Sequence, residues 1–522
     1  MKKLSAIAGA LLALGLVGCG GGGGGSSSNG VDTQKISGSV EASYLLNVSV
    51  CDKNTGICTK TSSNGSFTLN VPYPTELELK IGDYKLADVK AESANVKITP
   101  AVLAENNVTL AGYLGVFLHK AAGCDIDAGV CDMSRAKNLE INASGGNLVE
   151  KVKNFVNSHH TLSFKAGDNN YTITSKDLDY YITLNPLKTG VTTVEYQGAV
   201  TVGDFATFKF NFANDEVNYK FDGYVLNKLS HSGRFVNLYK NMFFINKNSS
   251  EFYFVTSGIM LAKIVNSQGD FDIIAIPKNY MPITAQDVAK KYNLVFKGLN
   301  INGNVYNGFG ILSLNSDKTY SLIIKNITSG NFDSYTGSWE MNGNKVTLNL
   351  NGAPLMNLSV KVGYIKNSIV ADGINGGYGF GSEALDITKR DLKTYHYLKV
   401  APLGNNETKV CFGYTNEKWE NNTTISVTER DSKCMIVRSY PKYGTVTFEE
   451  IKTDAPVTYT ANINPVVNVN GVSVKLSGVA SVQQNGMFMY SFFDGDNKIY
   501  TNIGLRDGKE VGEVGSSKLI GY

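Results

Sequence analysis

The sequence predicts a mainly β protein, in which several antiparallel β-sandwich or β-barrel modules accompany a small two-helix insert near residues 108–158. Tyr and Phe are abundant, at 28 and 24 residues, beside only 11 prolines. Many short segments rich in Val, Ile, Tyr and Thr are separated by Asn and Gly turns, which is typical of antiparallel strands. The 522 residues are too many for one hydrophobic core, and 42% apolar residues suffice for three or more domains.

The start of the chain has the features of a secretory signal. Lys2 and Lys3 precede an apolar stretch over 4–17 that is too short to span a bilayer as a permanent helix. We therefore expect residues 1–18 to be a signal peptide that is removed. Residues 20–30 contain only Gly, Ser and Asn, so we expect residues 19–34 to act as a flexible tether.

A single cysteine stands where the apolar stretch meets the glycines. The run Leu16, Val17, Gly18 and Cys19 resembles the lipobox of bacterial lipoproteins. The resemblance implies that Cys19 is lipidated, with palmitate among its acyl chains, and becomes the mature N-terminus. Gly20 follows it instead of Asp, which in that family implies transport to the outer membrane or cell surface. The alternative is an ordinary signal peptide with a structural cysteine downstream.

Charge composition excludes two classes of partner. Lys plus Arg number 49 and Asp plus Glu number 46, without long runs of one sign. Nucleic acid and an anionic membrane surface are therefore not indicated as partners. The net charge therefore does not indicate which kind of partner this protein binds.

Six cysteines remain once Cys19 is assigned to lipid, and an even number fits an oxidising compartment. Two pairs bracket short loops and the third pair lies in strand-like contexts, which predicts three disulfides: Cys51 with Cys58, Cys124 with Cys131, and Cys411 with Cys434. Zinc is the rival interpretation of six cysteines. It is disfavoured because the sequence has no CxxC and its five histidines are not spaced as ligands.

Residues 35–98 read as short strands. The phrases SGSV, VSVCDKNTG and SSNGSFTLNVP resemble the carboxypeptidase-regulatory-like, transthyretin-type β-sandwich, with apolar alternation at Phe67, Leu69 and Val71. That resemblance implies a structural spacer domain.

The hydrophobic period then changes to that of helices, which predicts a helical unit over 99–165. One stripe has Thr109 as its expected N-cap and comprises Leu110, Tyr113, Leu114, Phe117 and Leu118. A second stripe comprises Leu148, Val149, Val152, Phe155 and Val156. The loop between them carries Asp125 and Asp127, but cysteines occupy it as well, which argues against a calcium site.

Residues 166–283 read as a β domain, with YTITS and YYITL (180–184) among its expected strands. A capping pattern at Thr284 and Asp287 then predicts a short helix over 285–292 at a domain boundary. Residues 395–522 again alternate and predict a C-terminal β domain.

Residues 284–394 predict an antiparallel meander with tight turns at Asn302-Gly303 and Asn342-Gly343. The combination of SLNSDKTYS with GSWEMNGNKVTL resembles the lipocalin-like, calycin-type barrels. In that family a Gly-x-Trp strand packs its aromatic side chain against the barrel end, which implies this role for Gly337 and Trp339.

Catalytic motifs are missing from the sequence: it has no G-x-S-x-G, HExxH or P-loop spacing, and GxGxxG spacing occurs only within the glycine-rich stretch at 18–25. The histidines read as helix caps (His119, His159 and His160) or as isolated side chains (His231 and His396). Three carboxylate pairs can in principle serve a hydrolase or hold Ca²⁺, namely Asp270 with Asp272, Asp494 with Asp496, and Glu449 with Glu450. We interpret the DGDN stretch first as a hairpin turn.

The sequence therefore predicts a non-enzymatic protein without metal or cofactor, lipid-anchored to the outer membrane and either displayed on the cell surface or facing the periplasm. Its expected role is adhesion, scaffolding or assembly with a protein or glycan partner. Two alternatives remain open: a small apolar ligand or carbohydrate bound by the barrel region, and a secreted carboxylate-dependent hydrolase. A spanning barrel, suggested by the terminal Tyr522, is disfavoured because Lys518 breaks the required alternation.

Overall fold

The computed structural model describes residues 34–126, 128–200, 205–222, 230–239, 242–246, 250–255, 260–266, 269–326, 332–363, 367–384, 395–405, 407–440, 445–453, 455–463, 466–469, 471–475, 479–482, 488–493, 499–506 and 509–516. Several predictions fall outside these residues: the signal peptide, the lipidated Cys19, the tether up to residue 33, Asp127, Asp494, Asp496, Lys518 and Tyr522. The protein is mainly β, with an eight-stranded antiparallel barrel and a few helices, as the sequence predicts.

The N-terminal strands form a sandwich of two sheets. The strands of this region are β1 (Gln34–Val40), β2 (Tyr44–Leu46), β3 (Ser49–Asp52), β4 (Cys58–Lys60), β5 (Ser66–Val71), β6 (Thr75–Ile81), β7 (Tyr84–Ala91) and β8 (Asn95–Ile98), and all except β2 belong to the two sheets. One sheet has the order β5-β1-β8 and the other β4-β3-β6-β7. The predicted alternation is confirmed, because Phe67, Leu69 and Val71 are buried while the residues between them are exposed.

Five helices follow the sandwich: α1 (Pro100–Leu103), α2 (Val108–Ala121), α3 (Leu148–His159), α4 (Ser175–Leu184) and α5 (Pro186–Thr189). Between them lie strand β9 (Val130–Asp132), which pairs with β2, a 3-10 helix (Met133–Arg135) and the hairpin β10 (Leu162–Ala166) and β11 (Asn169–Ile173). Both predicted helices are present. The N-cap of α2 is Asn107 instead of Thr109, because the Asn107 side chain accepts a hydrogen bond from Leu110 N–H.

Residues 180–184, predicted as a strand, lie in helix α4. Thr174 and Asp177 form a capping box that begins this helix one turn before the apolar run. Leu178 and Tyr181 of α4 then pack closely against Gly112 and Gly115 of α2. Tertiary packing overrides the strand preference of the sequence YYITL. The helices share one hydrophobic core with the sandwich, which extends from Ile36 to Leu184 and includes Met281.

Residues 193–277 form a nine-stranded antiparallel sheet. Its strands are β12 (Thr193–Val200), β13 (Phe205–Asn211), β14 (Glu216–Asp222), β15 (Ser230–Arg234), β16 (Val236–Tyr239), β17 (Met242–Asn246), β18 (Ser250–Val255), β19 (Met260–Asn266) and β20 (Gly269–Pro277). The two edges of this sheet are β15 and β16, and only Phe235 separates them in the chain. The sheet therefore curls until its edges meet around a core rich in Phe and Tyr.

Residues 291–383 form the closed barrel of strands β21 (Lys291–Ile301), β22 (Asn304–Leu314), β23 (Thr319–Asn326), β24 (Phe332–Asn342), β25 (Lys345–Leu350), β26 (Ala353–Lys361), β27 (Ser368–Gly373) and β28 (Tyr378–Glu383). The predicted turn at Asn302-Gly303 is confirmed, since both residues have positive φ. Helix α6 (Ala285–Val288) begins with the predicted capping box at Thr284. It ends earlier than predicted, because Lys291 already belongs to β21.

The C-terminal strands are β29 (Tyr395–Gly404), β30 (Glu407–Trp419), β31 (Thr424–Tyr440), β32 (Thr445–Ile451), β33 (Val457–Ile463), β34 (Val466–Val469), β35 (Val472–Lys475), β36 (Val479–Val482), β37 (Phe488–Phe493), β38 (Ile499–Arg506) and β39 (Lys509–Ser516). Except for the hairpin β34 and β35, they form one antiparallel sheet in which β32 branches off β31. Its end strands β29 and β39 lie alongside each other. Within the described part of the chain, no helix combines the length and apolar character needed to cross a bilayer.

Candidate binding groove

A groove of about 700 Å³ lies on the N-terminal domain, where the two sheets of the sandwich meet the helices. This volume is within the range of protein ligand sites. Its lining comes from three separated stretches of the chain: 87–97 on β7 and β8, 102–105 on α1, and 147–150 at the start of α3. A second concavity of about 370 Å³ follows α3 toward His160 and shares Glu105 with the first.

Two sheet edges border the groove. Strand β7 is the last strand of the four-stranded sheet, and β8 is the last strand of the three-stranded sheet. A short connection at 92–94 joins them, so both edges open on the same side of the sandwich. An edge strand presents unpaired backbone groups that can bond to an added chain. The groove therefore offers backbone donors and acceptors as well as side chains.

The side chains of the groove combine an apolar wall with a charged rim. Val102 on α1 is 45% exposed, and Val89 and Val96 are partly buried against the core. Glu105, which the groove shares with the second concavity, lies 3.7 Å from Lys153 of that concavity. A wall of this composition suits a partner that has apolar and polar side chains together.

Asp88 is the most constrained charge in the groove. Lys85 Nζ lies 2.7 Å and Lys53 Nζ lies 3.3 Å from Asp88 Oδ2. Partial burial raises the pKa of Asp88, but hydrogen bonds from Lys85 and Lys53 outweigh it and hold the pKa below its usual value. The carboxylate is therefore charged at neutral pH. Its Oδ1 atom is buried without a hydrogen-bond partner among the residues described.

The structure contains the three disulfides that the cysteine spacing predicts. Cys51 and Cys58 lie opposite each other on β3 and β4, and Cys411 and Cys434 do so on β30 and β31. The Cys124–Cys131 bond closes the loop after α2. None of these cysteines lines the groove, so their role in this structure is to join neighbouring segments.

His119 was expected to be a cationic cap, and this prediction is wrong. Its side chain is fully buried, with Nδ1 2.9 Å from Gly115 O and Nε2 3.1 Å from Ser43 Oγ. Burial lowers the pKa of His119 to about 4, so the imidazole is neutral at pH 7. The contact with Ser43 was not predicted from the sequence. Both side chains are inaccessible to solvent, so the pair belongs to the packed interior of the N-terminal domain.

Among the side chains that the structure describes, the remaining predicted residues, His159, His160, Glu449 and Glu450, do not form a common site. His159 lies in the last turn of α3 beside Phe155, and His160 is the left-handed C-cap of that helix. Glu449 pairs with Arg438 and Glu450 pairs with Lys433 on the neighbouring strand. Asp270 and Asp272 belong to β20, and His231 and His396 belong to β15 and β29. Within the described ranges, no three His, Cys, Asp or Glu side chains gather as metal ligands would.

Trp339 packs at one end of the closed barrel. Its Nε1–H donates to Asn315 O at 3.0 Å, and Lys318 Nζ lies 3.8 Å from the ring centre. A side chain at Gly337 would collide with the Asn349 carbonyl, which explains the glycine. The barrel interior holds a single cluster of buried aliphatic and aromatic side chains. An eight-stranded barrel can be filled by side chains or can hold one small ligand, so the apolar-ligand alternative stays a prediction.

Neither a scan of protein-family models nor a search of curated proteins found a match. Solved structures give weak matches. Transferrin binding protein B of Neisseria meningitidis serogroup B is 10% identical, over 62% of this chain and 74% of that chain, with a TM-score of 0.16. A double mutant of the Haemophilus parasuis protein of the same name is 9% identical, over 63% and 76%, also at 0.16. A DUF3598 protein of unknown function from Nostoc punctiforme is 8% identical, over 52% and 98%, at 0.14. Such low TM-scores support no inference about this chain.

Proposed function

We propose that this chain is a non-enzymatic lipoprotein of the outer membrane or cell surface, which binds a protein partner through the groove on its N-terminal domain. The groove supports this proposal most directly, because it combines two open strand edges, an apolar wall and a charged rim. Adhesion, scaffolding and assembly with another envelope protein are the roles that such binding can serve.

Two features of the sequence support the location. The run ending at Cys19 resembles a lipobox, and the glycine- and serine-rich residues after it suit a tether between membrane and folded body. The three disulfides fit an oxidising compartment. The first described strand, β1, pairs with β8, which borders the groove, so a tether that leads to β1 would join the domain that carries the groove.

Site-specific photo-crosslinking on intact cells tests the binding. A photoreactive amino acid at Val102, in the apolar wall, is expected to give a discrete crosslinked product. Ile57 provides the matched control, because it is also apolar and is 47% exposed. It lies next to β4, which is the edge of the four-stranded sheet opposite β7 and thus away from the groove. No product at Val102, or the same product at both positions, would contradict partner binding in the groove.

A substitution extends the same test. Val102→Glu places a charge in the apolar wall and is expected to reduce capture of the partner by at least about tenfold, since an unpaired charge is costly to bury in an interface. Ile57→Glu is expected to leave capture unchanged. Equal capture by both variants would show that the wall is not the binding surface.

A further inference from the structure

Half of the peptide groups of β7 point away from its sheet. Lys53 N–H donates to Glu76 O at 3.0 Å, so Glu76 on β6 directs its peptide groups toward β3. Along an antiparallel strand, the backbone N–H and C=O groups of successive residues point to the neighbouring strands on opposite sides. The backbone groups of Glu76 therefore bond to β3 and not to β7. Lys90 lies opposite Glu76 in the register. The N–H and C=O of Lys90 are therefore directed out of the sheet edge.

The same alternation applies two residues earlier. Glu78 shares the orientation of Glu76, and Asp88 lies opposite Glu78. Asp88 and Lys90 both line the groove. Across the described chain, their backbone groups form no hydrogen bond with another strand. Four backbone groups, two donors and two acceptors, thus face the groove along one straight edge.

The two faces of this edge differ in chemistry. Ala87, Val89 and Ala91 turn toward the core, on the side where Val102 and Val149 form the apolar wall. The side chains between them are charged and lie on the outer face, where Asp88 meets Lys53 and Lys85. A chain added beside β7 would therefore meet apolar groups on one face and charged groups on the other.

We propose that the groove binds an extended partner segment, which adds to β7 as a fifth strand of the sheet. This inference rests on the proposed function and specifies its binding mode. The segment has apolar and polar side chains in alternation, because alternate residues of a strand face opposite sides. Three of the charged lining residues are already paired: Asp88 with Lys53 and Lys85, Glu105 with Lys153, and Lys97 with Glu41. Among the described residues, Glu92 and Glu150 then stand against Lys90, so the segment is expected to include a basic side chain.

The variant Lys90→Pro removes the outward N–H without breaking a bond within the sheet, and edge strands tolerate proline at such positions. Lys90→Ala is the matched control, because it removes the same charge but keeps the N–H. The probe is a set of peptides selected from a random phage-displayed library on the whole folded chain. Lys90→Pro is expected to weaken their binding about tenfold relative to Lys90→Ala, as one lost hydrogen bond does.

A measurement on the unmodified chain gives a second test. Hydrogen exchange at the amides of Asp88 and Lys90 is expected to slow when a selected peptide binds, since these are the groups that it pairs with. Selected sequences are also expected to alternate apolar and polar residues. Strand addition is overturned if no sequence is enriched, if both variants bind equally, or if these two amides exchange at unchanged rates.

Combining the two experiments distinguishes strand addition to β7 from partner binding in the groove. If photo-crosslinking at Val102 captures a partner with equal yield in the Lys90→Pro and Lys90→Ala chains, the groove binds its partner without adding a strand. If no partner is captured at Val102 while selected peptides still bind β7, the edge can accept a strand but the proposed cellular function fails.

Discussion

Asp179 of helix α4 and Lys361 of barrel strand β26 form a buried ion pair, with 2.7 Å between Oδ2 and Nζ. Their side chains are only 4% and 8% exposed. Asp179 Oδ1 also accepts a hydrogen bond from Tyr280 N–H at 3.0 Å. Burial lowers the pKa of Lys361, and the neighbouring Asp179 opposes that effect. The pair joins the N-terminal domain to the closed barrel.

Breaking this pair is expected to be costly. Lys361→Met leaves the Asp179 charge buried without its partner, which costs about 3–5 kcal/mol. The double variant Asp179→Leu with Lys361→Met is expected to recover most of that loss, because no charge remains buried. Hydrogen exchange at the amides of α4 and β26 measures the local free energy of opening. A single variant as stable as the native chain would show that the pair does not join the two parts.

Acid is expected to destabilise the N-terminal domain through His119. The pKa of His119 in the folded protein is about 4, below its ordinary value of 6.5. The unfolded chain thus takes up a proton at a higher pH than the folded chain, so stability is full above about pH 6.5 and falls as the pH drops toward 4. The loss over this interval is on the order of 3 kcal/mol.

The variant His119→Gln tests this pH dependence, since its amide does not titrate. Urea unfolding of both chains at pH 7 and pH 4.5 is expected to show a larger loss of stability in the native chain than in the variant. If both chains lose the same stability between pH 7 and pH 4.5, the acid sensitivity comes from carboxylates and not from His119. Lys120 and Lys188 add to the effect, because both positive charges lower the pKa of His119.

The contact between α2 and α4 depends on a glycine. A Cβ at Gly115 would lie 1.9 Å from the Tyr181 ring. Gly115→Ala improves helix propensity by about 1 kcal/mol but overpacks this contact, so we expect a net loss of about 1–3 kcal/mol in the free energy of unfolding. Adding Tyr181→Leu is expected to restore part of the loss. If Gly115→Ala alone stabilises the protein, the helices do not pack this closely.

The six cysteines of the folded body are expected to be oxidised in freshly isolated protein. Alkylation under denaturing conditions without reductant should label none of them, and alkylation after reduction should label all six. Mass spectrometry of the intact chain measures the difference. Label acquired without reductant would argue against an oxidising compartment.

Local patterns of the sequence predicted most elements of the fold. The alternation at Phe67 and Leu69 and the helical stripe that includes Leu110 depend only on neighbouring residues, and both are confirmed. The disulfide partners were also predictable, because two of the three pairs are separated by only seven positions. Helix α4 was missed, since its packing against Gly112 and Gly115 depends on a segment about sixty residues earlier.

The groove was not predictable from the sequence. Val102 and Val149 are far apart in the chain and meet only because α1 and α3 flank the same sheet edge. Which strand is an edge is a property of the sheet order and not of the sequence of β7. The burial of His119 was missed for the same reason, because Ser43 contacts it from 76 positions earlier in the chain.

Lipidation at Cys19 is the claim on which the location and the proposed function both depend. Metabolic labelling with palmitate, followed by mass spectrometry of the N-terminal peptide, tests it most directly, with Cys19→Ala as the control. Lipidation predicts label in the native chain, a mature N-terminus at Cys19, and no label in the variant. An unlabelled native chain, or one that begins at another residue, would contradict it.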